Sequence, residues 1–422
     1  MKPKLRFTFV ADRLNRTATA SLIAALEDRI EEHGISLRVV RPAEARKLDF
    51  DSPLAVAEWV CMSSMTEGMP HASKALAQMR RLGAFRSICG GPHPTADPAG
   101  TLAAGFDYCC VGEGEEVIRA IADGAIADGA VTDMAIADGV VGPHAERVLR
   151  GAGPTELSDF PPLPRRFIFR AHLEIGRGCR WRCTYCQTPR IFGHRERFRT
   201  PAAIEEIVSI YARRGMKDIR LLLPNALGYR SEAPAVPNCE ALEELLRRAS
   251  LAADGGRIFL GSFPSEIRPD YVTPEAVAVL KKYVSNRKLV IGGQSGSERI
   301  LDLVARGHTV EAIERASRVV AAAGLEPAVD LVLGFPEEES EDRQATFALM
   351  ERLRPLGATF NLHFFMPLAG TPLAGTLPRF LSESERGLLD RLAQEGLVRG
   401  RWRHQEELAC QWSSDRGEIS PK

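Results

Sequence analysis

Two α/β domains in tandem are what this sequence predicts: a doubly wound parallel sheet, then a partial (β/α)6 barrel with a short helical C-terminal tail. Three observations predict it. Short β-branched apolar runs alternate with amphipathic helical stretches before residue ~120, and the alternation resumes after residue ~170. A proline-rich stretch, SDFPPLPRR at 158–166, separates the two series. Several strands of both series end in or next to glycine or proline, as strands do where their carboxyl ends face a ligand crevice.

In the first series LRFTFVA (5–11) reads as a strand, Thr19 to Glu32 as a helix and LRVV (37–40) as a second strand. EWVCMSS (58–64) is the third strand and His71 to Leu82 a helix; SICGG (87–91) and FDYCCVG (106–112) end in glycines. IADG then occurs three times, at 121–124, 126–129 and 136–139, a low-complexity stretch with no functional reading. The expected divisions are a Rossmann-like domain over 1–140, a linker over 141–168, a barrel over 169–375 and a helical extension over 376–422.

In the second series strand AHLEIG (171–176) leads into a cysteine-rich loop, followed by helix Pro201–Arg214. DIRLLLP (218–224), RIFLGS (257–262), KLVIGGQ (288–294), AVDLVLG (328–334) and TFNLHFF (359–365) are the remaining strands. Helices are expected at Cys239–Ala253, Pro274–Val284, Glu298–Val304, Val310–Ala322 and Glu339–Leu353. In such a TIM-type barrel the loops after the strands carry the chemistry. The tail is charged, with RGRWRHQ (399–405) as a basic-aromatic patch that reads as a solvated helix face.

Composition narrows the class. Of 422 residues, 45% are apolar and 26% charged, ordinary for a globular protein. Lysine plus arginine equals aspartate plus glutamate at 55 each, so no global field draws nucleic acid or an anionic membrane. No apolar run approaches a membrane span, and MKPKLRFTFVADR does not make a signal peptide. Nine cysteines, an odd number without regular spacing, point to a reducing, cytoplasmic setting.

Three of those cysteines lie within eight residues, Cys179-Arg180-Trp181-Arg182-Cys183-Thr184-Tyr185-Cys186. Three thiolates on one tight loop can hold three corners of a [4Fe–4S] cubane and leave the fourth iron open for a ligand. A zinc site is the alternative and needs a fourth ligand, for which His172 and His194 are nearest. Buried structural thiols are a third reading, against which Arg180, Arg182 and Gln187 argue.

The C-x3-C-x2-C spacing, with Tyr185 before the last cysteine, resembles the radical S-adenosylmethionine (SAM) superfamily. GGQSGSERIL (292–301), RGHT (306–309), DLVLGFPEE (330–338) and FFMPLAGTP (364–372) resemble the fourth-, fifth- and sixth-strand motifs of the branch that includes the methylthiotransferases. The resemblance implies that Cys179, Cys183 and Cys186 ligate the cluster, whose open iron chelates SAM. One electron then cleaves the sulfonium to a 5′-deoxyadenosyl radical. It implies SAM contacts from Tyr185, Asn225, Ser262, Glu266, Ser295, Arg306, Gly334 and Phe335, and an electron donor such as flavodoxin or ferredoxin. One departure stands out. The acidic Gly-Gly-Glu segment that many members carry after the second strand is here Leu223-Pro224-Asn225-Ala226-Leu227-Gly228, so Asn225 and backbone carbonyls would have to bind the SAM amine.

The first half resembles the cobalamin-binding domain that precedes many such barrels, through CMSSMTEGMP (61–70), CGGPHPTADP (89–98) and GFDYCCVGEGEE (105–116). That resemblance implies corrin contacts from Ser63, Ser64, Met65, Gly90, Gly91, His93, Gly112, Glu113 and Gly114. The Asp-x-His-x-x-Gly segment that supplies a lower cobalt ligand elsewhere is replaced by Asp12-Arg13-Leu14-Asn15-Arg16-Thr17, so no histidine from that loop reaches cobalt. A cobalamin-dependent radical SAM methyltransferase is the leading expectation, acting on an unidentified small molecule, lipid precursor or peptide. The alternatives are a cobalamin-assisted rearrangement or cyclisation, and a cobalamin or cluster sensor without activity. Methylthio transfer is a further one, implying a second cluster on three N-terminal cysteines drawn from Cys61, Cys89, Cys109 and Cys110.

Overall fold

The computed structural model describes residues 5–48, 50, 57–124, 126–127, 130–131, 145–167 and 169–415. Its chain forms two compact units, Met1–Glu174 with Gln187–Arg199, and Ile175–Cys186 with Thr200–Lys422. The chain therefore passes from one unit to the other three times.

The first unit is built on six parallel strands: β1 (Leu5–Val10), β2 (Ile35–Val40), β3 (Ala57–Ser63), β4 (Arg86–Gly90), β5 (Tyr108–Cys110) and β6 (Val148–Leu149). Their order is β2-β1-β3-β4-β5-β6, so the direction of winding reverses between β1 and β3. Ligands of open α/β sheets bind at that reversal, outside the strands' carboxyl ends. Alternate residues serve the two faces. Phe7, Phe9, Trp59, Cys61 and Ile88 pack with helix α1 (Arg16–Leu26) and helix α3 (Glu115–Ala122). Val10, Val60, Met62 and Cys89 pack on the other face with Leu76 and Met79 of helix α2 (Met69–Met79). Each fully buried large side chain of this kind contributes about 1.5–3 kcal/mol.

The predicted doubly wound class holds, with local differences. The helix expected over Thr19–Glu32 starts at Arg16 and breaks after Leu26; a separate turn of helix at Arg29–His33 ends on Gly34 at φ 63°. Along and beyond GGPHPTADP run two short helices, Pro92–Ala96 and Pro98–Ala103, each beginning on a proline. Proline suits a first helical turn because its missing N–H would be unbonded there anyway. Val148–Leu149, inside the expected linker, adds a strand beside Cys109–Cys110. Of the IADG repeats, the second contributes Ile126–Ala127 to a small antiparallel pair with Ala130–Val131, and the third (136–139) lies outside the described residues.

In the second unit the main strands are β7 (Asp218–Leu222), β8 (Arg257–Phe259), β9 (Lys288–Gln294), β10 (Glu326–Leu333), β11 (Thr359–Phe364) and β12 (Val398–Gly400). Every described pairing is parallel and follows chain order. The Ile175 N–H bonds Leu222 O at 2.9 Å, which sets the entry to the cysteine loop beside β7. Between β8 and β9 the contact is made by Gly261 and Ile267, the latter bridging Ile291. Helices alternate with these strands, and their starts are written in the sequence. Thr200, Asn238, Thr273, Ser297 and Thr309 each accept a backbone N–H from three residues on, as N-caps do. Strand β12, which runs into the start of RGRWRHQ, was not anticipated: the tail adds a strand to the barrel before its last helix, Trp402–Asp415.

Candidate functional site

In the second unit the cysteine loop leaves Gly178 at φ 85° and folds over the end of β9. Thr184 N–H bonds Val304 O at 3.0 Å, and Cys186 N–H bonds Cys183 O at 3.2 Å. Cys183 is buried, whereas Cys179 and Cys186 are half-buried. Trp181 turns inward. The Arg268 guanidinium carbon lies 3.5 Å from its ring centre, within the range of a strong cation–π contact.

Arg306 is the hub of this end of the barrel. Its guanidinium donates to Gly292 O at 2.8 Å, to His308 Nε2 at 3.1 Å and to Cys183 Sγ at 3.7 Å. Burial opposes its charge, but Tyr185, Cys183 and Glu266 hold its pKa up. His308 is pushed down to about 2, first by burial and then by Arg306 and Arg268, so it is a neutral acceptor. Glu266 is pushed up to about 7 by burial and then by neighbouring Asp330, against the pull of Arg306. A Cβ on Gly292 would stand 2.6 Å from Glu266 Oε2, 2.7 Å from Arg306 Nη2 and 2.9 Å from Gln294 Nε2, so only glycine leaves room for these polar groups to meet.

Asp330 completes the set and was not singled out from sequence. It is 1% exposed, and neither carboxylate oxygen has a hydrogen-bond partner. His363 Nε2 stands 3.8 Å away, its pKa raised by Asp330 against the larger effect of burial. Gln294, also missed, sits at φ 70° where the β9–β10 register slips, with Nε2 3.4 Å from Glu266. A lone acid in the apolar run AVDLVLG and a lone amide ending KLVIGGQ were the available signals.

The other expected SAM contacts divide. Tyr185 and Phe335 pack with ring centres 5.4 Å apart, and burial pushes the Tyr185 hydroxyl well above its ordinary pKa. Gly334, at φ 84°, lies against the Phe364 ring and donates its N–H to Glu338 at 2.6 Å. Asn225 Oδ1 accepts the Arg268 N–H at 3.1 Å, so it fixes the turn that carries Glu266. Ser295 Oγ accepts the Ser297 N–H at 3.2 Å and meets Thr346, a capping arrangement. Ser262 Oγ accepts from Arg220 at 3.3 Å, a partner outside the Arg306 set.

In the first unit the expected corrin contacts all lie at or just past strand ends on the carboxyl edge of the sheet: Ser63 ends β3 and Ser64 and Met65 follow it, Gly90 ends β4 and Gly91 and His93 follow it, and Gly112, Glu113 and Gly114 come after β5. Ser64 N–H bonds Gly90 O at 2.9 Å and His93 N–H bonds Ser64 O at 3.2 Å, stitching two of these loops together. Gly112, at φ 80°, donates to Thr95 Oγ1 at 3.0 Å and has open space where a Cβ would project. Met65 is exposed. The His93 ring lies 3.3 Å from Thr66 Oγ1, and burial lowers its pKa. Glu113 points elsewhere: it is buried in a two-armed ion pair with Arg197. The loop after β1 is an Asx turn in which Asp12 accepts the Leu14 and Asn15 N–H groups.

The four cysteines of this unit are core residues. Cys61 and Cys110 belong to one face of the sheet, Cys89 and Cys109 to packing on the other. Burial raises all four thiols, Cys109 to about 12. Such thiols are inert. Among the described residues no three His, Cys, Asp or Glu side chains gather as ligands of one metal ion. Cubane thiolates bind separate irons, so the Cys179–Cys186 loop does not require that gathering. No helix among the described residues is long and apolar enough to cross a membrane.

Residues 173–350 match the radical SAM superfamily and residues 26–122 the B12 binding domain. A tRNA-2-methylthio-N(6)-dimethylallyladenosine synthase of Chlorobium phaeobacteroides is 34% identical over 235 residues, 54% of this chain and 50% of that protein. The Thermus thermophilus protein of the same name is 30% identical, over 51% of this chain and 45% of its own length. The chain thus spans about half the length of these curated relatives. The fold resembles TsrM, a radical SAM methyltransferase from Kitasatospora setae with cobalamin and a [4Fe–4S] cluster bound, at TM-score 0.62 and 16% identity over 88% of this chain and 74% of that one. It also resembles the cobalamin-dependent enzyme OxsB, at TM-score 0.58 and 16% identity over 83% of this chain and 52% of that one.

A radical SAM domain implies a [4Fe–4S] cluster and SAM, and a B12 binding domain implies cobalamin. The residues fit all three. One loop carries three cysteines, with a guanidinium at the buried thiol. Unbonded Asp330 oxygens offer acceptors to ligand hydroxyl or amine groups. The glycine-rich sheet edge lets a flat ring approach the backbone.

Proposed function

We infer that this chain, with its B12 binding domain ahead of a radical SAM domain, is a cobalamin-dependent radical SAM methyltransferase that methylates an unactivated carbon. Bound here, the cluster and SAM supply a carbon-centred radical, and cobalamin supplies a transferable methyl group. The chain's own residues bind and shield. Asp330, Gln294 and Glu266 offer hydrogen bonds to SAM, Arg306 brings fixed positive charge, and Tyr185, Phe335 and Phe365 form an aromatic wall that excludes water.

The observation that carries this reading against methylthio transfer is the placement of Cys61, Cys89, Cys109 and Cys110. The relatives named for methylthio transfer make that the second reading. A second cluster would need three thiolates converging on one accessible site. Here the candidates are core side chains split between opposite faces of a sheet, held as thiols by burial.

Anaerobic reconstitution with iron, sulfide and hydroxocobalamin tests it. About four irons per chain with bound corrin is expected, and about eight would transfer the assignment to methylthio chemistry. SAM added with strong reductant should yield both S-adenosylhomocysteine and 5′-deoxyadenosine. Deoxyadenosine alone, with corrin bound, would favour rearrangement over methyl transfer.

A further inference from the structure

Arg306 is aimed at sulfur. Its Nη1 lies 3.7 Å from Cys183 Sγ, a length at which a guanidinium N–H donates to a thiolate. Its other nitrogens are fixed by Gly292 O and by His308 Nε2, so the group has little freedom to turn away. The next layer holds it in turn. Arg268 donates to the Arg306 carbonyl at 2.9 Å, stacks on Trp181 of the cysteine loop and is clamped by Asp270 with bonds of 3.0 and 2.9 Å. Gly307, at φ 73°, leaves no room for a Cβ against the Trp181 ring. The side chain on the thiol and the ring beside it are thus braced through one residue, Arg268.

We propose that Arg306 sets the reduction potential of the cluster by donating a charged hydrogen bond to the Cys183 thiolate, and that Arg268 is the positioning residue that holds it there. The inference rests on reading the cysteine loop as the cluster site. The couple is a single electron: a low-potential one-electron donor reduces [4Fe–4S]2+ to [4Fe–4S]+, and no proton moves. Reduction adds negative charge to the cluster and its sulfurs. A fixed cation on one sulfur therefore favours the reduced form and raises the potential, hydrogen bonds to sulfur being one of the protein's levers on such clusters.

The test is an EPR-monitored redox titration of the anaerobically reconstituted full chain with dithionite, without SAM or cobalamin, so that no other ligand of Arg306 intervenes. In Arg306→Gln the ratio of reduced to oxidised cluster at a fixed potential should fall about tenfold, about 59 mV for one electron. Arg306→Lys, which keeps the charge but loses the fork, should fall less. Arg268→Lys keeps Arg306 itself but loses the fork that braces it against Trp181 and Asp270, and should shift the same way by a smaller factor; it decides the matter if Arg306→Gln does not retain iron. Wild-type ratios in the iron-loaded variants would overturn the proposal. A wild-type chain that takes up no iron would instead overturn the reading of the loop as a cluster site.

Discussion

The Arg197 guanidinium holds the Glu113 carboxylate with two nitrogens, at 2.6 and 3.2 Å, and both side chains are buried. Glu113 stands between Gly112 and Gly114 at the sheet edge, and Arg197 also donates to the Thr155 and Phe192 carbonyls. Removing one partner of a buried pair is costly because the other charge was already stripped of water. Arg197→Met should therefore destabilise the first unit by about 3–5 kcal/mol, and Arg197→Met with Glu113→Leu should recover most of the loss. Thermal unfolding of the three proteins checks this; a double variant as weak as the single one would show that the charge pair is not the cause.

Two glycines of the same edge separate folding from ligand binding. An added Cβ at Gly91, at φ 101°, would stand 2.6 Å from Ser63 Oγ and 3.1 Å from the Ser64 backbone. At Gly112 it would meet nothing within 4 Å. Gly91→Ala should cost about 2 kcal/mol or more through strain and crowding, whereas Gly112→Ala should cost about 1 kcal/mol through its backbone alone. If the open space at Gly112 receives the corrin, Gly112→Ala should still weaken hydroxocobalamin binding at least about tenfold, roughly 1.4 kcal/mol. Spectroscopic titration measures it, and unchanged affinity would place the ring elsewhere.

Glu337 is an exposed residue held at φ 61°, a conformation that L side chains adopt at a cost and glycine adopts freely. Its carbonyl accepts from Arg299 at 2.7 Å, a bond that a glycine would keep. Glu337→Gly should raise stability by about 0.5–1 kcal/mol. A fall in melting temperature would mean that the side chain does something the backbone does not explain.

Glu338 is pushed up to about 7 from 4.5, chiefly by burial, although the Gly334 N–H and Arg343 favour its charge. Between those values the folded chain keeps a proton that the unfolded chain has released. This stabilising contribution is full below pH 4.5 and is lost as the pH rises to about 7. Glu338→Gln removes the titration but still accepts from Gly334, so its melting temperature should fall less than the wild type's across that window. Parallel profiles would show that another group sets the slope.

The strands were legible because buried parallel strands are apolar runs, and several ended in or beside glycine or proline where the backbone turns. Helix starts were legible through their Ser, Thr and Asn caps. Val148–Leu149 and Val398–Gly400 escaped because two or three residues carry no periodicity. The polar interior was harder. Asp330 reads as one flaw in an apolar strand until Gly292, Glu266 and His363 are brought beside it. Glu113 and Arg197 lie 84 positions apart, and nothing local to either announces the other.

Gln187–Arg199 follows directly on Cys186 yet is counted with the first unit, so neither half of this protein is a continuous ribbon of sequence. A shortened gene beginning at the barrel would carry Arg197 and Arg199 without Glu113, Thr155, Leu157 and Phe160, whose acceptor atoms bind them. One ending before the barrel would lack both guanidinium groups. Exchange of halves between relatives is thus constrained: a viable chimera must transplant thirteen residues along with the sheet they serve, which takes three junctions instead of one.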